Sequence, residues 1–187
     1  MTNHPTYQPK LIFFPRASKL PPNTARIYLA QCPLPNLPLP LQHLLPTPAL
    51  VLNVDKGDIY DSSLWLGAAP TYTPLHRDPN PNLFVQLAGT KRVRLFRPKV
   101  GDAIFARVQE RIGAAGSATM RGEEMMKGRE KEVLEKVVWG EDGEGEGEAG
   151  LEAELGSGDG LFIPKGWWHS IKGVGEGMTG SVNWWFR

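Results

Sequence analysis

Hydrophobic positions in this chain come in short runs more often than in long helical stripes. ARIYLAQ (25–31), LWLG (64–67), NLFVQLA (82–88), KRVRLF (91–96), GLFIP (160–164) and SVNWWF (181–186) are bounded by Gly, Pro, Asn or Asp. That is the pattern of short strands closed by turns. LIFF (Leu11–Phe14) is a further candidate strand, inside a proline-rich and polar stretch (1–24) expected to wrap the surface. Leu75 to Asp78 is expected to start a strand after the Gly/Ala/Pro break that ends LWLG. Residues 82–96 predict a hairpin around Ala88-Gly89-Thr90. Within it Phe84, Gln86 and Ala88 alternate with Leu83, Val85 and Leu87, and both faces are apolar enough for a sandwich interior. Asp159-Gly160 reads as a turn leading into Leu161–Ile163. Six prolines between Cys32 and Pro48 predict an extended connector with at most one helical turn.

Between Lys99 and Gly158 the pattern changes. AIFARVQERI (103–112) reads as a short helix and GEEMMKGREKEVLEKVVWG (122–140) as a charged amphipathic one. In the latter, Val133, Leu134, Val137 and Val138 share a stripe, and Glu132–Lys136 is a favourable i,i+4 pair. EDGEGEGEAG (141–150) is acidic, of low complexity and expected to be disordered. The fold class that follows is an all-β core with peripheral helices, a β-sandwich or closed jelly roll. It forms one domain over 1–187 with an insert at about 100–157.

Composition narrows the partners. The 187 residues suffice for one domain with a core. No apolar run nears the roughly 20 residues of a membrane span, so no membrane partner is expected. The N-terminus lacks a signal pattern, and the single cysteine, Cys32, fits a reducing compartment, nucleus or cytoplasm. Net charge is +1, yet residues 121–154 hold 12 acidic and 5 basic groups, leaving the remainder at +8. A basic body suits an anionic partner or small anionic cosubstrate, and equally suits mere solubility. Arg92, Arg94, Arg97 and Lys99 could form a positive stripe, but no aromatic stacking pattern accompanies them, so nucleic acid is weakly supported. Phosphate-loop, paired-cysteine zinc and nucleophile-elbow motifs are absent.

The candidate chemistry lies in TPLHRDPNPN (73–82) and GDGLFIPKGWWHSI (158–171). His76 and Asp78 sit two apart, so on a strand they share a face, and His169 supplies a second imidazole from another segment. Two histidines and one carboxylate leave coordination positions open, the arrangement of non-haem Fe(II) oxygenases. Taken singly each residue has a plainer reading. Lys91 is an edge lysine, Thr73 a strand start, Asn82 a turn residue, Tyr28 a strand aromatic, and Trp185 and its neighbours core.

Together with SVNWW (181–185), those stretches resemble the JmjC (cupin-like) family of Fe(II)- and 2-oxoglutarate-dependent oxygenases, most closely its hydroxylase branch. The resemblance covers residues 25–99 and 158–187 and leaves out the insert. It implies a double-stranded β-helix, or cupin barrel, with His76, Asp78 and His169 as iron ligands. It further implies that Lys91, Thr73 and Tyr28 hold the distal carboxylate of 2-oxoglutarate. Asn82 and Asn183 would line the cosubstrate and iron side, Trp185 would be an aromatic wall, and Gln31 would face the substrate. With Fe(II), 2-oxoglutarate and O2, the implied activity is hydroxylation of a protein side chain. A histone lysine or arginine demethylase and a tRNA-base hydroxylase are the alternatives within the family. A non-catalytic cupin binding module, or another metalloenzyme on the same barrel, stands outside it. Many relatives carry C-terminal helices that form a dimer. Here the chain ends four residues after Asn183, so a monomer or weak oligomer is expected, or the chain is a fragment.

Overall fold

A computed structural model describes residues 11–14, 26–54, 58–113, 127–140 and 150–187. The wrapping stretch apart from Leu11–Phe14, the start of the second predicted helix and the acidic tract 141–149 lie outside these residues. Among the described residues, ten strands form two antiparallel sheets. The first holds β1 (Leu11–Phe14), β2 (Arg26–Pro33), β3 (Ile59–Ala68), β5 (Asn82–Ala88), β8 (Gly160–Ile163) and β10 (Met178–Phe186). The second holds β4 (Thr71–Arg77), β6 (Thr90–Phe96), β7 (Gly150–Leu155) and β9 (Trp168–Val174). Their orders are β1-β2-β3-β10-β5-β8 and β4-β9-β6-β7. The sheets meet through Phe84 and Ile163 from one side and Val93, Leu95 and Leu155 from the other. This is the jelly-roll core expected from the strand pattern.

The predicted hairpin does not form. β5 pairs with β10 and β8, whereas β6 pairs with β9 and β7, so residues 88–90 turn a corner between sheets. Gly89 makes the corner possible. Its φ is +65°, and a Cβ there would lie 2.6 Å from the Met178 carbonyl. Gln86 braces the turn by donating from Nε2 to the Ala88 carbonyl at 2.6 Å and to Thr179 Oγ1 at 3.0 Å. Two β-rich runs around a glycine satisfy either arrangement locally. Burial decides, because Phe84 and Val93 both enter the interior from opposite walls.

The proline-rich connector is also more helical than expected. It holds a 3-10 turn (Leu34–Asn36), α1 (Leu39–Leu44) and α2 (Ala49–Leu52). Pro33, Pro38 and Pro48 each precede a helical start and Pro40 sits in a first turn, where a missing N–H costs no hydrogen bond. Leu34, Leu37 and Val51 cover the outer face of the first sheet against Leu64, Val182 and Trp184.

The second sheet is covered by α3 (Pro98–Ile112) and α4 (Gly128–Trp139). The predicted stripe packs inward. Leu134, Val137 and Val138 meet Ile104, Phe105, Val108, Leu75, Phe96 and Trp168, with Val133 partly buried beside them. Within the stretch taken for insert, Gly150–Leu155 is a sheet strand. Ala153 and Leu155 join the interior while Glu152 and Glu154 point outward and pair with Arg94 at 2.6 Å and Arg92 at 2.8 Å. The supposed positive stripe is therefore neutralised at both of these arginines. No described helix is long and apolar enough to cross a membrane.

Candidate metal centre

His76 and His169 sit directly opposite each other across the β4–β9 pair, with ring centroids 4.2 Å apart. Asp78 follows the end of β4, and its carbonyl accepts from the Gly166 N–H at 3.2 Å. That bond ties the Asp78 segment to the turn before β9. One ligand atom from each of His76, Asp78 and His169 lies within 4.8 Å of the others. His76 Nε2 is 3.8 Å from Asp78 Oδ1, and His169 Nε2 is 3.7 Å from Oδ2.

Both rings are held by the far nitrogen. His76 Nδ1 is 2.8 Å from the Pro74 carbonyl and His169 Nδ1 is 3.3 Å from the Trp167 carbonyl. A carbonyl only accepts, so each Nδ1 carries the proton and each Nε2 lone pair is turned to the centre. This is the outer support that orients metal-binding histidines. Asp78 is oriented likewise. Its Oδ2 accepts from Trp185 Nε1 at 2.7 Å and from Asn82 Nδ2 at 3.3 Å. Asn183 Nδ2 in turn donates to Asn82 Oδ1 at 3.0 Å.

Electrostatics suit a cation. Burial, helped by His76, pushes His169 down to about 4, so its ring is neutral at physiological pH and could serve as a metal donor. Burial alone would raise the Asp78 carboxyl. His169, His76, Trp185 and Asn82 outweigh it and hold that group below its ordinary value. Two imidazole Nε2 atoms and a carboxylate thus converge on one point, a donor set that fits a divalent metal.

The three residues open onto a pocket with about 380 Å³ of empty space, lined also by residues of both sheets. At its inner end Lys91, only 3% exposed, donates from Nζ to Ser181 Oγ at 2.7 Å and lies 5.3 Å from the Phe84 ring. No described carboxylate pairs with it, and burial lowers it to about 7. Tyr28 hydrogen-bonds Thr73, and burial raises its phenol to about 12. Trp65 Nε1 is buried there without a partner.

Nine of the ten residues singled out from the sequence line this pocket: Tyr28, Thr73, His76, Asp78, Asn82, Lys91, His169, Asn183 and Trp185. Gln31 is not among its lining residues. It sits at a bulge in the β2–β3 pairing with φ +54°. Sequence reasoning missed Trp65, Thr71, Phe84, Ile171 and Ser181. The signal for several was the two-residue period, since Ser181 precedes Asn183 and Trp185 on one face of β10, and Phe84 follows Asn82 on β5. The asparagines and Trp185 reach the Asp78 carboxylate directly or in relay, a role the aromatic-wall reading of Trp185 did not include.

Residues 36–187 match the family described as the cupin-like domain. The chain belongs to that family. Among its relatives, the cupin-like chain is 26% identical to the lysine-specific demethylase JMJ30 of Arabidopsis thaliana over 136 residues, which is 71% of this chain and 27% of that protein. It is 28% identical over 143 residues to the Jumonji C domain-containing protein 5 of Drosophila melanogaster, covering 76% of this chain and 32% of the relative. It is 24% identical over 134 residues to the lysine-specific demethylase 8 of Danio rerio, covering 71% and 28%. The cupin-like chain therefore spans between a quarter and a third of the length of these relatives. The Jumonji C name of the Drosophila relative agrees with the resemblance carried by the HRD and WWH segments.

Proposed function

We propose that this cupin-like domain is an Fe(II)- and 2-oxoglutarate-dependent dioxygenase that hydroxylates a protein side chain. The observation that carries the reading is the pairing of two features in one pocket. A two-histidine, one-carboxylate cluster stands at one part of it, and a buried lysine with no carboxylate partner among the described residues at another. A buried unpaired ammonium is costly, and a dicarboxylate ligand offsets that cost. Lys91 would take the distal carboxylate of 2-oxoglutarate as a compact cation, with Thr73 and Tyr28 donating hydroxyls to it. His76, Asp78 and His169 would hold the metal. Asn82, Asn183 and Trp185 would keep the Asp78 carboxylate turned toward it. Phe84, Trp65 and Ile171 would exclude water from the cosubstrate.

When bound, Fe(II) with 2-oxoglutarate supplies the O2 activation that puts one oxygen atom into a substrate C–H bond and releases succinate and CO2. The protein's own contribution is placement. It sets neutral imidazoles and an ionised carboxylate around the metal, provides a dry anion socket, and leaves an open face for the substrate. A second reading, oxidation of an N-methyl group on a lysine, is favoured by the demethylase names of two relatives. Both readings take a protein substrate, a histone or another. A tRNA-base substrate has less support, because Arg92 and Arg94 are paired with glutamates. A purely structural binding module would leave Lys91 buried for no purpose.

The test is conversion of 2-oxoglutarate to succinate by iron-loaded protein, with and without lysine, methyl-lysine and asparagine peptides. Turnover that needs Fe(II) and disappears in Lys91→Met supports the proposal. Absence of any turnover across the peptide set, with metal shown to be bound, would overturn it.

A further inference from the structure

Two residues that flank the three proposed ligands meet on one carboxylate of the helical layer. Arg77 lies between His76 and Asp78, and Trp168 immediately precedes His169. Arg77 and Trp168 are partners in the β4–β9 register, one step beyond the His76–His169 pair. Because strand side chains alternate, both point to the face opposite the ligands. There Arg77 Nη1 donates to Asp102 Oδ1 at 2.9 Å, and Trp168 Nε1 donates to the same oxygen at 3.2 Å. The Arg77 guanidinium also lies 5.4 Å from the Trp168 ring.

Helix α3 touches this point at backbone distance. A Cβ on Gly101 would lie 2.0 Å from the Trp168 ring, so only glycine lets the helix approach so closely. Phe105, one turn on, places its ring 5.2 Å from the same indole. Trp168 is fully buried between helix and sheet. Its backbone leads straight into His169, so the packing that fixes Trp168 also fixes the strand end that carries His169.

We propose that Asp102 is a positioning residue for the metal centre, acting through Arg77 and Trp168 to fix the two strand ends that carry His76, Asp78 and His169. The inference rests on reading those three as the ligands. It gives the segment between β6 and β7 a function, since α3 braces the site from behind. The ion pair itself contributes little to stability, because Arg77 is 33% and Asp102 51% exposed. Its effect is geometric. Ligands must be held within about 0.5 Å of a productive arrangement, and direct outer supports of ligands change metal affinity about 10–100-fold when lost. A support one residue further out is expected to change it about three- to tenfold.

The experiment is titration of the full chain with Mn(II) or Co(II), read by calorimetry, alongside thermal unfolding without metal. Asp102→Ala is expected to weaken metal binding three- to tenfold while the metal-free unfolding temperature barely moves. Asp102→Asn keeps an acceptor oxygen and is expected to restore most of the affinity. Glu135→Gln, which removes the Lys172 contact at 2.8 Å on the same helical layer, is expected to leave affinity unchanged. Wild-type affinity in Asp102→Ala, or equal losses in Asp102→Ala and Glu135→Gln, would overturn the brace while leaving the metal site standing. No metal binding by the wild-type chain would remove the site and the brace with it.

Discussion

Lys91 and His169 are basic groups that the fold keeps in positions where their neutral forms are favoured, and this makes the metal-free protein sensitive to pH. Burial takes Lys91 from an ordinary 10.5 to about 7 and His169 from 6.5 to about 4. In each window between those values the unfolded chain binds a proton that the folded chain refuses, so stability rises with pH. The metal-free protein is therefore expected to lose stability, on the order of 2 kcal/mol, as pH falls from 6.5 to 4. The lowered Asp78 carboxyl acts in the same direction. Through Lys91 the metal-free protein is expected to gain stability between pH 7 and 10, and denaturant midpoints across the range check both arms. Lys91→Met removes a buried cation, so it should stabilise the metal-free protein by about 1–3 kcal/mol at pH 6 while abolishing 2-oxoglutarate binding by calorimetry. Asp78→Ala should eliminate metal binding and leave the far-ultraviolet circular dichroism spectrum unchanged, because Trp185 and Asn82 lie near enough to the pocket for water to replace the lost acceptor.

At the scale of elements, the helical layer and the second sheet are one packed unit. Leu134 on α4 is fully buried among Ile104, Phe105, Val108 and Trp168. Leu134→Ala is expected to cost about 2–5 kcal/mol, read as a drop in thermal midpoint. Breaking the exposed Arg92–Glu154 pair should leave the thermal midpoint essentially unchanged. The strands were readable because turn residues bound each apolar run. α4 was readable because its stripe keeps a 3.6-residue period. What local pattern could not supply was partnership. NLFVQLA-G-TKRVRLF suits a hairpin and an inter-sheet corner equally well, and only the burial of Phe84 opposite Val93 distinguishes them. Gly150–Leu155 was hidden for a related reason, since its glutamates read as a continuation of the acidic tract until Arg92 and Arg94 are seen beside them. The prolines misled in the opposite sense, because a residue that stops a helix also starts one.

For the whole molecule, the pocket was legible to the extent that residues carry chemistry. Histidines, aspartate, lysine and asparagines announce themselves, and His76, His169, Asp78, Lys91, Asn82 and Asn183 line one cavity. Ser181, Trp65 and Ile171 carry no such mark and become visible only when the two walls close. The outer supports were equally silent. Nothing in the sequence connects Asp102 to His169, 67 positions away. The sheet order has one more consequence, for how the polypeptide is made. β10 lies between β3 and β5 in the six-stranded sheet, yet of the ten described strands it is made last. Until Met178–Phe186 emerge, two long apolar edges wait without their shared neighbour, open to pairing with other chains. A nascent chain stopped short of residue 178 is therefore expected to depend on chaperones, whereas the barrel can close in a single late step once nine more residues appear.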